Sequence, residues 1–258
     1  MLDDTAHLAL HEQNARYKLS TLTPQIRDGR ADFGQLLEVC RLYRIAGVAA
    51  LFAAGDPTAL RRALRKSARM CVFGLDLVPS AERITSKLLP FFDAVAAGDV
   101  EAACWLKALA PAAEPSPLEY EEDYLFVRFL MDHVCSDVGS DAAVLLNRYR
   151  SVAAVIDDPR YGMCLALHER DAAAFGVYLE AFLESYLDRM RGIAEAGRMR
   201  PDRAATEGLC SVEGIALVRL ARQAGLRLDA EYPGVPSLAL LPTTAEALPP
   251  VDWQAPNE

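Results

Sequence analysis

Apolar residues recur at intervals of three and four along almost the whole chain, and this spacing constrains the fold more than any other feature. Regular alternation of apolar and polar residues, the mark of a half-buried strand, is rare. The clearest helix opens at Asp171, where Phe175, Tyr178, Leu179, Phe182, Leu183, Tyr186, Leu187, Met190 and Ile193 fall on one stripe. Glu180, Glu184, Asp188, Arg189 and Arg191 take the wet side. The same reasoning predicts helices over Asp3 to Leu19, Phe33 to Ala53, Pro57 to Phe73, Ala81 to Ala96, Val100 to Leu109, Leu118 to Val134, Asp141 to Ile156 and Val212 to Ala224. A shorter one is expected over Arg160 to His168.

Between the helices stands a recurrent punctuation. FAAGDPTAL, Phe52 to Leu60, and VAAGDVEAA, Val95 to Ala103, each place Gly-Asp between two apolar-periodic segments. Glycine past a helix end tolerates positive φ, and the aspartate that follows caps the next helix, so both segments read as helix junctions. Pro57 suits a first helical turn. LHERDAAAF, Leu167 to Phe175, keeps only the Asp and the small residues, so a regular solenoid is not expected. The fold class is all-α: an irregular stack of antiparallel helical hairpins, about ten helices, joined by short Gly, Pro, Asp and Ser connections. A single domain should span residues 1–240, with a crossover near 110–118 where three prolines break the periodicity. Residues 241–258 should form an extended, Pro-rich tail that frays, while Leu238, Leu240 and Leu241 pack on the body.

With 52% hydrophobic residues the chain can bury a substantial core, and its net charge of −9 argues against a nucleic-acid partner. The start carries early acids and no basic-then-apolar leader, and charges interrupt every apolar run before the ~20 residues a membrane span requires. Cys40, Cys71, Cys104, Cys135, Cys164 and Cys210 are scattered singly. They are expected to be reduced core residues of an intracellular, cytoplasmic protein.

Catalytic chemistry finds little support. No Gly-rich phosphate loop is present. Asp3, His7 and His11 share a helical face and could ligate a metal, but they offer no supporting shell, so neither metal nor cofactor is expected. His133, Cys135 and Asp137 lie two apart and point different ways on a helix, which argues against a nucleophile and its base. His168, Glu169, Arg170 and Asp171 read as a helix junction. Glu213 is the one acid on an otherwise apolar helix; Ser211 should cap that helix, placing Glu213 in the first turn, and Gly214 should allow close packing. The best contact surface is the acidic run Glu119, Tyr120, Glu121, Glu122, Asp123 and Tyr124, in which tyrosines supply area and acids steer a basic partner.

The segment Ser211 to Leu240, SVEGIALVRLARQAGLRLDAEYPGVPSLAL, opens an apolar helix with Ser-Val-Glu-Gly, leaves it through Ala-Arg-x-x-Gly-Leu and continues with Tyr-Pro and a second Pro. It resembles the ending of the immunity protein 49 family of bacterial polymorphic toxin systems, type VI secretion among them. The resemblance implies a mostly helical, non-enzymatic protein that binds and neutralises a cognate secreted toxin domain, with no catalytic motif to carry over. Two other readings stand beside it: a helical enzyme that brings Glu213, His133 or His168 into one pocket, and a helical-repeat adaptor that binds a peptide.

Overall fold

A computed structural model describes residues 4–111, 114–135, 142–156, 158–228, 231–241 and 253. Among them stand eleven α-helices and no strand: α1 (Asp4–Arg27), α2 (Phe33–Ala54), α3 (Pro57–Leu77), α4 (Pro90–Ala97), α5 (Val100–Leu109), α6 (Glu121–Val134), α7 (Ala142–Ile156), α8 (Pro159–Glu169), α9 (Ala172–Glu195), the single turn α10 (Pro201–Ala204) and α11 (Val212–Gln223). One isolated antiparallel bridge joins Tyr232 to Val235.

Helix α2 is the hub. It is apolar around most of its circumference, as an enclosed helix must be, and it packs between α1 and α3. Helix α4 lies against α3 and α11, α8 packs on α9, and α5, α6 and α7 follow one another around the side. One continuous apolar cluster runs from Ala15 to Ala239, with Tyr43, Phe91, Phe92, Tyr124, Tyr149 and Phe175 as its largest enclosed members.

The Gly-Asp junctions form as expected. Gly55 and Gly98 end α2 and α4 at φ of 65° and 78°, in the left-handed region that glycine enters without a Cβ penalty. Asp56 accepts from the amides of Thr58 and Ala59, and Asp99 from that of Ala102. The third segment has the same geometry with a different residue: Arg170 ends α8 at φ 60°, and Asp171 caps α9 through the Ala174 amide.

Several features depart from the sequence expectation. Helix α1 runs past Leu19 to Arg27 despite Pro24, because Ile26, one further step along the stripe of Ala15 and Leu19, is buried. The helix expected over Ala81 to Ala96 begins only at Pro90, preceded by 3₁₀ turns at Ser80–Glu82 and Thr85–Lys87. Proline has no amide hydrogen to give to a preceding turn, so it opens α4. Helix α6 starts at Glu121, three residues after Leu118. On α9 the buried stripe narrows to Phe175, Leu179, Leu183, Tyr186 and Met190.

The tail expectation also needs revision. Ser237–Leu240 form a 3₁₀ turn in which Ala239 is buried and Leu238 and Leu240 pack on the core, whereas Leu241 is exposed. Far along the tail, Trp253 does not fray: its ring lies 4.5 Å from that of Phe73, and Tyr43 Oη donates to its carbonyl at 2.8 Å. The remaining residues beyond Leu241 lie outside the described set. No helix among the described residues is long and apolar enough to cross a membrane.

Candidate functional site

The acidic segment occupies the start of α6 and the approach to it, and most of its charges are engaged within the chain. Three acids fall in the first helical turn, where the unsatisfied amides favour negative charge. The Glu119 carboxylate accepts from the backbone amides of Ser116 and Ser86, each at 2.8 Å, and so pins the proline-rich crossover to the turn Thr85–Lys87. Glu121 accepts from Arg148 Nε at 2.6 Å, and Arg148 Nη2 reaches Glu114 at 3.1 Å, which draws α7 against the crossover. Asp123 accepts from Arg160 Nη1 at 2.6 Å.

One residue of the run stands out into solvent, and among the described residues one of its half-buried acids lacks a partner. Tyr120, which precedes the helix with no side-chain cap, is 74% exposed, and Glu122 is half-exposed with no ion pair among the described residues. Tyr124 is a correction to the surface reading, because at 1% exposure its ring belongs to the core and cannot supply contact area. Helical geometry explains the difference: position 124 follows the inward stripe of Phe126, Val127, Leu130 and Met131, whereas position 120 precedes the helix. The structure adds Leu118, 75% exposed two residues before Tyr120, whose side chain the sequence reading had assigned to a helix. Exposed apolar groups rimmed by polar residues are a usual feature of contact surfaces.

Behind Asp123 lies a cleft of about 250 Å³ lined by Asp158, Arg160, Phe182, Tyr186 and Arg189. Asp158 holds Arg160 through Nη2 at 2.9 Å and caps α8, and the Arg160 guanidinium also stacks over Phe126 at 5.3 Å. Burial works against the Arg160 charge, yet Asp158 and Asp123 outweigh it and hold the guanidinium protonated. The cleft is thus lined by two acids and two arginines, with Arg160 held between Asp158 and Asp123.

Glu213 sits where α11 enters the core. Ser211 Oγ accepts from the Gly214 amide at 3.0 Å, the expected cap. A Cβ at Gly214 would meet Leu183 Cδ2 at 2.6 Å, so α11 and α9 approach as closely as glycine permits. Burial raises the Glu213 carboxyl, while Arg44, Arg189 and Arg160 oppose that shift. The neighbouring buried pair is Arg44 with Asp93, 2.7 Å apart; Ser67 Oγ donates to the same carboxylate at 2.5 Å and Arg44 Nη2 to the Leu89 carbonyl at 3.1 Å. Arg44 and Asp93 also line a cavity of about 270 Å³ together with Leu37, Cys40, Arg41 and Leu89.

The histidine and cysteine candidates separate. His7 and His11 have ring centroids 6.2 Å apart, Asp3 lies outside the described residues, and no group of three potential metal ligands occurs among the described residues. Cys135 is bonded to Cys104, with Cα atoms 5.5 Å apart, so the expectation of six reduced cysteines is corrected. Residues 104 and 135 come together because α5 and α6 pack side by side, a proximity that a sequence separation of 31 hides. Cys40, Cys71, Cys164 and Cys210 are free and buried, as expected. Asp137 lies outside the described residues. His133 neighbours His168 and Arg170, and Glu213 is placed elsewhere, among Arg44, Arg160 and Arg189. Of the three residues named for an enzyme reading, His133 and His168 are thus neighbours and Glu213 lies apart from them.

Comparison with known proteins adds one finding. Residues 38–239 match the family model of immunity protein 49, from early in α2 to the turn after α11, which includes the α6 surface, the polar core and all but the last residue of the Ser211 to Leu240 segment. No curated protein and no solved structure matches. Because the match covers most of the chain, this protein belongs to the immunity protein 49 family.

Proposed function

We propose that this protein binds a cognate secreted bacterial toxin in the cytoplasm and neutralises it stoichiometrically, by covering the toxin's active site or substrate groove. Family membership supports the class of function. The observation that carries the mechanism is the exposure of Leu118 and Tyr120, two positions apart just before α6, with Glu122, an acid unpaired among the described residues, in the first turn of that helix. Tyrosine supplies rigid contact area at low entropic cost, and the acids complement a basic toxin surface. The charge of −9 accelerates encounter with such a partner. The ion pairs of Glu121 and Asp123 keep the platform in place.

The test is co-expression in bacteria of the toxin domain encoded next to this chain, with and without it. Rescue of growth and a one-to-one complex on purification are expected. Toxicity that persists despite abundant folded protein would overturn the proposal.

A further inference from the structure

Arg61 on α3 and Arg219 on α11 converge on the turn Ser237–Leu240. Arg61 Nη2 donates to the Leu241 carbonyl, and Arg219 Nη2 to that of Ala239 at 2.9 Å. These are the only hydrogen bonds of the two guanidiniums among the described residues, and Nε of each is enclosed with no acceptor. Among the described residues neither has a carboxylate partner, and the adjacent Arg222 adds a third positive charge without an ion pair there.

Elsewhere the chain treats half-buried arginines differently. Arg44 has Asp93, Arg65 and Arg69 share Asp99, Arg128 has Asp132, and Arg203 has Glu207. Arg83 lacks a carboxylate, but its Nε, Nη1 and Nη2 are all engaged by the carbonyls of Val78 and Leu109. Among the described residues, only at Arg61 and Arg219 do unpaired charge and orphaned donors coincide. Enclosing like charges costs several kcal/mol unless a counter-charge is present, and buried orphan donors cost further. Burial lowers the affinity of both guanidiniums for their protons, and repulsion from Arg61 and Arg222 adds to it at Arg219, which falls to about 10.

We propose that Arg61 and Arg219 form an oxyanion site that takes a phosphate-class dianion between α3 and α11, with the exposed Arg222 at its mouth. Two planar forks from different helices suit an acceptor whose several oxygens point in different directions, and a dianion balances more of the three charges than a monoanion does. The bound anion clamps the turn Ser237–Leu240 to both helices.

The test is thermal unfolding of the full chain in inorganic phosphate, sulfate or acetate, each against sodium chloride of equal ionic strength. Phosphate at roughly ten times its dissociation constant should raise Tm by about 3 °C in a saturable manner. Sulfate should act similarly and acetate more weakly. Arg61→Met and Arg219→Met should abolish the rise, and Arg219→Lys, which keeps the charge and loses the fork, should reduce it if a Met variant fails to fold. Arg83→Met should leave it intact. An equal rise in acetate, a phosphate rise that survives Arg219→Lys in full, or no rise at all would overturn the site.

Discussion

The Arg44 guanidinium on α2 lies 2.7 Å from the Asp93 carboxylate on α4, and both side chains are almost wholly removed from water. Asp93 also accepts from Ser67 on α3, so one carboxylate ties three helices together. Burial alone would favour a neutral arginine, but Asp93, with Glu207 and Glu213 nearby, keeps Arg44 charged. Breaking the pair from one side strands that charge. Asp93→Ala should lower unfolding stability by about 3–5 kcal/mol in urea titration, whereas Arg44→Met combined with Asp93→Leu should recover much of the loss. A single variant that unfolds at the wild-type midpoint would show that the pair contributes nothing.

Gly98 offers a cleaner probe of the helix junctions. A Cβ there would meet nothing within 4 Å, so any cost of substitution is purely conformational. Gly98→Ala should destabilise by about 1–2 kcal/mol because it forces an L-residue to φ 78°. Arg170→Gly should leave stability unchanged or raise it, since the strain relieved at φ 60° offsets the entropy glycine adds to the unfolded chain. Chevron or equilibrium denaturation would measure both.

His133 confers a pH dependence whose sign is fixed. Burial disfavours its charged form, and His168 and Arg170 add repulsion, so its folded pKa lies below the usual 6.5. The unfolded chain therefore binds this proton more readily. The stability associated with neutral His133 is present above pH 6.5 and declines as pH falls through the folded pKa. His133→Gln should flatten the dependence of the urea midpoint between neutral pH and about pH 5.5. A slope identical to that of the wild type would place the titration elsewhere.

The Cys104–Cys135 bond closes a loop of 31 residues. Chain-entropy arguments assign such a closure about 3–4 kcal/mol, so reductant should lower Tm of the wild type and leave a Cys104→Ser, Cys135→Ser double variant unmoved. The free buried cysteines provide the internal control, since modification of Cys40 or Cys71 requires the core to open.

On the proposed toxin-facing surface, side-chain direction separates contact from packing. Tyr120→Ala should weaken toxin binding by at least ~2 kcal/mol, roughly 30-fold, with Tm unchanged. Tyr124→Ala should instead lower Tm, because its ring is core. Glu122→Lys should slow association and weaken its salt dependence. Binding that is indifferent to Tyr120 and Glu122 would move the contact surface elsewhere.

The chain by itself determined the helices and where most of them stop. Apolar spacing identified α2, α3, α5, α7, α9 and α11, and Gly55, Asp56, Gly98, Asp99 and Asp171 marked their junctions, because capping and periodicity act between residues a few positions apart. Glu213 was legible as a first-turn acid for the same reason. Only the tertiary structure decided what distant residues do to one another. It turned Glu119 into a brace for Ser86 and Ser116, paired Glu121 with Arg148 and Asp123 with Arg160, buried Tyr124, joined Cys104 to Cys135, and left Arg61 and Arg219 facing one turn without a counter-ion. Whether a charge is paired or a ring is buried depends on which helices pack together, and periodicity along one helix carries no record of its neighbours.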